Sequence, residues 1–187
     1  MGAGTLYHLH MGGRIMEVLN LKKIGVRGVN LALHNMPADS EKNFEIRNPQ
    51  GQHSIACGVN APLNVEIKGH VGFYCGGMNK HAKIVISGHA GVGVGENMMS
   101  GYIHVKGDTS ESAGATAHGG FFGFEGNASS RCGISMGGCG YCCGGVGGPH
   151  VRIHGTKREF CDLGDPKGCT GEIRFRSKIF VREKFPD

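Results

Sequence analysis

Apolar residues alternate with other residues in short runs along the middle of the chain. Val65/Ile67, Ile84/Ile86, Ile103/Val105 and Phe122/Phe124 are each separated by one residue: Glu66, Val85, His104 and Gly123. Such alternation predicts strands with one buried face and one mixed face. Each run ends in glycine (VEIKG, IVISG, IHVKG, FGFEG), so Gly69, Gly88, Gly107 and Gly126 form one column with a 19-residue period. A second column holds Gly76, Gly95, Gly114 and Gly133. The apolar column also reaches upstream to Ile46 and downstream to Ile179/Val181.

One row is too small to bury its own apolar face, whereas stacked rows pair their strands in parallel and close a continuous core. The predicted fold is all-β: a parallel β-helix, or solenoid, with a 19-residue repeat over residues 44–187. Left-handed hexapeptide solenoids count 18 residues per turn and do not fit this period. Rungs about 4.8 Å apart would carry the seven steps from Ile46 to Ile179 over roughly 34 Å. The glycines are expected at corners, where φ is positive or neighbouring turns approach closely. On that basis Gly107→Val should strain a left-handed corner and crowd the adjacent rung. Residues 1–43 are read as an N-terminal extension and cap. Within them residues 16–37 carry a short helical lead-in, with Val26, Val29 and Leu33 on one face and Pro37 ending it. Met16 is an alternative start.

Composition sharpens this picture. Glycine supplies 35 of 187 residues, tryptophan is absent, and 39% of residues are hydrophobic. Glycine without proline at every third position excludes collagen, and the many Val, Ile and Phe exclude simple disorder. No apolar run approaches the roughly 20 residues of a membrane span. The opening MGAGTLYHLHMGG lacks the basic-then-apolar order of a secretion signal, which leads us to expect a soluble, cytoplasmic protein. The net charge of +5 is spread without basic blocks or interleaved aromatics, so no nucleic-acid footprint is expected.

The glycine columns, together with IRNPQGQHSIACG, GFYCGGMNKHA, GVGENMMSG, SAGATAHGG and SSRCGISM, resemble the GXGXG β-helix domain of the glutamate synthase large-subunit family. Within it, the resemblance is strongest to the free-standing β-helix subunit of N-methylglutamate synthase (methylamine–glutamate N-methyltransferase). A β-helical scaffold chain of formylmethanofuran dehydrogenase shares the repeat. The resemblance covers residues 20–136. It implies a right-handed parallel β-helix, a scaffold that holds no substrate and bridges a glutamine-amidotransferase-like subunit and a synthase-like subunit. FMN and Fe–S belong to that second partner, and no cofactor is expected in this chain.

Candidate chemistry is sparse. His70 and His89 stack one rung apart and could bridge a metal, but Asp108 and Asn127 share their column, which favours a turn role. Cys75 and Cys132 share a column with Val94 and Ala113 and read as small buried thiols, and Cys57 as structural. Glu96–Asn97 and Met98–Met99 are placed on a corner loop that either contacts a partner or faces solvent. GVGVGEN is no phosphate loop, because the run belongs to the repeat and no helix follows. No nucleophile–base or carboxylate pair stands out. Hence no catalytic, cofactor-binding or metal residue is assigned, and the eight column glycines are structural.

Cys139, Cys142, Cys143, Cys161 and Cys169 have the look of a zinc or iron–sulfur set, and a metal-binding or redox protein is the rival reading. The repeat breaks where they begin. After GISM the expected strand VDIVV is replaced by CGYCC, and Asp162 falls at an inward position. Back-translating Gly138–Gly144 as GGG TGT GGA TAT TGT TGT GGG and moving one base forward gives GVDIVV. Residues 138–177 are therefore read as frameshifted, with the phase restored near Ser177–Lys178, and their cysteines as artefacts. The expected function is a non-catalytic scaffold subunit serving amine transfer on glutamate.

Overall fold

The computed structural model describes residues 7–11, 14–137, 140–145, 160–162 and 179–181, with side chains from residue 15 to 137. The alternating runs become the strands of a single sheet whose spatial order follows the sequence. β1 (Tyr7–Met11) and β2 (Arg14–Asn20) lead into α1 (Leu21–His34). There follow β3 (Asn43–Arg47), β4 (Asn64–Lys68), β5 (Lys83–Ile86), β6 (Tyr102–Val105) and β7 (Phe121–Asn127). β8 (Gly140–Gly145), β9 (Phe160–Asp162) and β10 (Ile179–Val181) complete the sheet. β1 pairs antiparallel with β2, and every later neighbour pairs in parallel. The chain is thus a parallel β-helix.

The 19-residue period is the strand register itself: Ile67 pairs with Ile86, Ile86 with Val105 and Val105 with Phe124. The same offset pairs Phe124 with Cys143, Cys143 with Asp162, and Asp162 with Val181. The expected column needs one correction at its start. Ile46 pairs with Ile67, and Phe44 takes the place opposite Val65, an offset of 21. One extra residue enters before Ser54, whose N–H bonds Phe73 O as that of Tyr74 bonds Val92 O; the other enters after Gly58. A slip of two keeps every side chain on its own face, so the apolar pattern does not record it.

The interior is lined by Phe44, Val65, Ile84, Ile103 and Phe122, and two residues on by Ile46, Ile67, Ile86, Val105 and Phe124, all buried. Across from them lies the equally buried row Ile55, Cys75, Val94, Ala113 and Cys132. A helix starting at Met16 is not what forms. Met16–Asn20 sit between β1 and β3, and pairing on both edges overrides a weak helical periodicity. The helix begins at Leu21, capped by the Asn20 side chain accepting from Lys22 N at 3.0 Å, and ends before Pro37. It buries Leu21, Val29 and Leu33 in the solenoid core, while Val26 is partly buried against it. Among the described residues no helix is long and apolar enough to cross a membrane. The side chains of residues 138–177, on which the frameshift reading turns, lie outside the described residues.

Candidate functional site

Each turn carries a corner in which every second residue is left-handed. Tyr74, Gly76 and Met78 have φ of 57, 64 and 54°, and one rung on Gly93, Gly95 and Asn97 have 70, 67 and 54°. The N–H groups of these left-handed residues turn alternately to opposite rungs. Tyr74 N donates forward to Val92 O at 2.8 Å, Gly76 N back to Ile55 O at 2.9 Å, and Met78 N forward to Glu96 O at 2.8 Å. The corner backbone is therefore spent on its neighbours, and what the corner offers outward is side chains.

The first glycine column works differently. Gly88, Gly107 and Gly126 do not have positive φ; of the four, only Gly69 does, at 127°. A Cβ on Gly88 would lie 2.6 Å from Gly69 C, and one on Gly107 would lie 3.0 Å from Gly88 C and 2.6 Å from His89 Nδ1. The left-handed strain expected for Gly107→Val is thus absent, and the crowding is real.

His70, His89, Asp108 and Asn127 follow that column and form a ladder on the outer corner. His89 N donates to His70 Nδ1 (3.0 Å), Asp108 N to His89 Nδ1 (2.9 Å) and Asn127 N to Asp108 Oδ1 (2.7 Å). The two imidazoles stack at 4.9 Å with their planes 5° apart. Because Nδ1 accepts, the ring proton sits on Nε2, the nitrogen a metal would need bare. Parallel rings also send their Nε2 axes side by side instead of converging on one ion. The pair acts as a turn element, as does His53, whose Nδ1 accepts from Phe73 N at 2.9 Å. Among the described residues no group of three or more His, Cys, Asp or Glu converges for a metal.

Cys75 and Cys132 lie in the interior row. Burial pushes the Cys75 thiol far up, with Cys57 adding to it; burial also raises Cys57, against the lowering effect of a hydrogen bond from Gly77 backbone. Thiols held protonated are poor nucleophiles and poor ligands. Cys57 Sγ donates to Tyr74 O at 3.0 Å. On the corner loop Met98 is fully buried, contrary to its placement with Met99, because it faces the core in the row of Val59 and Ala117. Asn97 and Met99 are exposed and Glu96 is half-buried. The side chains of Cys139, Cys142, Cys143, Cys161 and Cys169 lie outside the described residues.

Two features escaped the sequence. On the outer face of the sheet Tyr102 stacks on Phe121 at 5.3 Å, with Lys83 Nζ 5.5 Å from the Tyr102 ring. Beside them His104 lies 3.2 Å from Glu125, its side chain only 12% exposed. Burial lowers its pKa below the usual 6.5, the Glu125 carboxylate opposing and Lys106 and Lys83 reinforcing. A depression of about 240 Å³ runs along this face, with Met16, Asn43, Asn64, Glu66, Lys83 and Val85 on its lining. The second feature is a cap. Ala56, the first-rung counterpart of Gly76, has no rung behind it, and its N–H donates to Asn30 Oδ1 at 2.8 Å. Asn30 Nδ2 reaches Ser54 O at 2.8 Å, and one helical turn on His34 Nε2 lies 2.7 Å from Cys57 O. Their i, i+4 spacing on α1 was visible, but nothing in the sequence says what they face.

Fold and corners together define a parallel β-solenoid whose corners are hydrogen-bonded from rung to rung. Against known proteins, the chain is 40% identical over 65 residues to Protein GlxC of Rhizobium meliloti (strain 1021), covering 34% of this chain and 28% of that protein. The match spans little more than a quarter of that relative's length. No family model and no solved structure matches.

Proposed function

We propose that this protein is a non-catalytic scaffold subunit of a glutamate-synthase-like complex in the cytoplasm, bridging a glutamine-amidotransferase-like subunit and an FMN/Fe–S synthase-like subunit. The observation that carries this reading is the similarity to GlxC in a chain whose corner groups are engaged with neighbouring rungs. The reaction served is amine transfer on glutamate: glutamate plus methylamine giving N-methylglutamate and ammonia, or ammonia channelling into glutamate synthesis. The solenoid contributes position, holding two reactive subunits in a fixed relation. Affinity purification of the tagged chain from its own cells tests this. Recovery of both partner classes supports it. Recovery of neither, or of the catalytic chain of a formylmethanofuran dehydrogenase instead, overturns it.

A further inference from the structure

A solenoid has two ends, and at each the last strand presents an edge of backbone donors and acceptors. At the N-terminal end the interior is already shut: α1 places Leu21, Val29 and Leu33 in the core, and Asn30 and His34 bond the first corner. What the end still offers is the outer edge of β2. There the chain departs from its own rule, because β1 pairs antiparallel over five residues, Tyr7↔Val18 to Met11↔Arg14. β1 shows that this edge accepts a strand running against the solenoid. A short edge strand, paired on one side alone, is also the cheapest piece of the sheet to detach. Beside the edge Ile15 is 58% exposed, and Met16 lines the depression on the outer sheet face.

We propose that the β2 edge is a strand-docking surface which β1 occupies, and that a second copy of this chain takes it when β1 leaves. Two β2 strands related by a two-fold axis normal to the sheet are antiparallel, the sense β1 already uses. They keep both cores on one side and join two solenoids end to end in one sheet. Pairing of the β2 edge with the β10 end of another copy would be parallel and open-ended, giving fibres instead of a closed dimer.

The test compares the full chain, a chain beginning at Met16, and the full chain carrying Leu9→Pro, which keeps every residue but spoils β1 opposite Met16. Light scattering on a sizing column should show a monomer for the full chain and a dimer, twice the mass, for both variants. A tenfold excess of a synthetic peptide of residues 5–13 should return both variants to monomer. Folded monomers, indefinite polymers, or dimers indifferent to the peptide overturn the proposal. So does a full chain already dimeric. If the Met16 chain does not fold, the Leu9→Pro chain decides; unfolding of both shows β1 to be an integral strand and equally overturns it.

Discussion

The two glycine columns run side by side through the same turns at the same spacing, yet glycine is needed in them for unlike reasons. At Gly107 φ is not left-handed, and what excludes a side chain is the rung beneath, 3.0 Å from where a Cβ would sit. At Gly76 the nearest obstacle is the far end of Ile103, also 3.0 Å away but movable, and the constraint is a φ of 64°. The chain carries its own control. Ala56 occupies the position of Gly76 one rung earlier, fully buried, with φ of 53°. The second column thus tolerates alanine at the cost of strain, while Gly88, Gly107 and Gly126 of the first column admit no side chain without parting two rungs. Identical spacing in a sequence therefore says where glycine recurs, not what it does.

The difference can be broken experimentally, starting with the largest effect. Gly107→Val should lose about 3 kcal/mol, as overpacking against backbone that cannot yield typically does. Urea unfolding reads this, and an unchanged midpoint would show that the rungs can part. Next, Asn30→Ala removes the cap of the second column and leaves the Ala56 N–H and Ser54 C=O without their partner, costing about 2 kcal/mol. Hydrogen exchange should speed up at Ala56 well before it does at Gly95, whose N–H bonds Cys75 O at 2.9 Å inside the stack. Gly76→Ala should cost only about 1 kcal/mol, the strain of one left-handed alanine; a loss as large as that of Gly107→Val would erase the distinction between the columns.

The smallest effect lies on the outer sheet face, away from both columns. His104 has a lowered folded-state pKa, so the unfolded chain binds its proton more readily. Its neutral form supports the fold fully above the ordinary value of 6.5, and that support is lost as pH falls from there through the folded-state pKa. Thermal melts of the wild type and of His104→Gln should therefore differ in their slope between pH 7 and pH 5. Parallel curves would mean that His104 is no more shielded than a surface histidine.

Much of the fold was legible because a solenoid writes its tertiary contacts into its period. Ile67, Ile86 and Val105 are neighbours in space at the spacing at which they recur in sequence. The 21-residue first turn was hidden for a definite reason: moving Ile46 from opposite Val65 to opposite Ile67 leaves it inward in either register. β2 reads as helix in the sequence because Met16–Asn20 lie outside the period and owe their form to β1 and β3. The turn role of His70 and His89 is suggested by their shared column, but only the acceptor role of Nδ1 gives it a physical cause. The outer stack of Tyr102 on Phe121 could not be foreseen, since outward positions carry no constraint that the pattern records. Residues 138–177 call for a different check. Resequencing the gene, with the intact mass of the purified chain, should reveal one gained and one lost base; the written bases and a mass matching 187 residues would sink the frameshift.

The scaffold role is tested most directly by native mass spectrometry of the assembly purified through this chain. The expected result is one species holding this chain with an amidotransferase-like and a flavin- and iron-bearing partner, from which gentle dissociation releases this chain free of flavin, iron and zinc. A chain that runs alone, carrying stoichiometric zinc or iron, would contradict it.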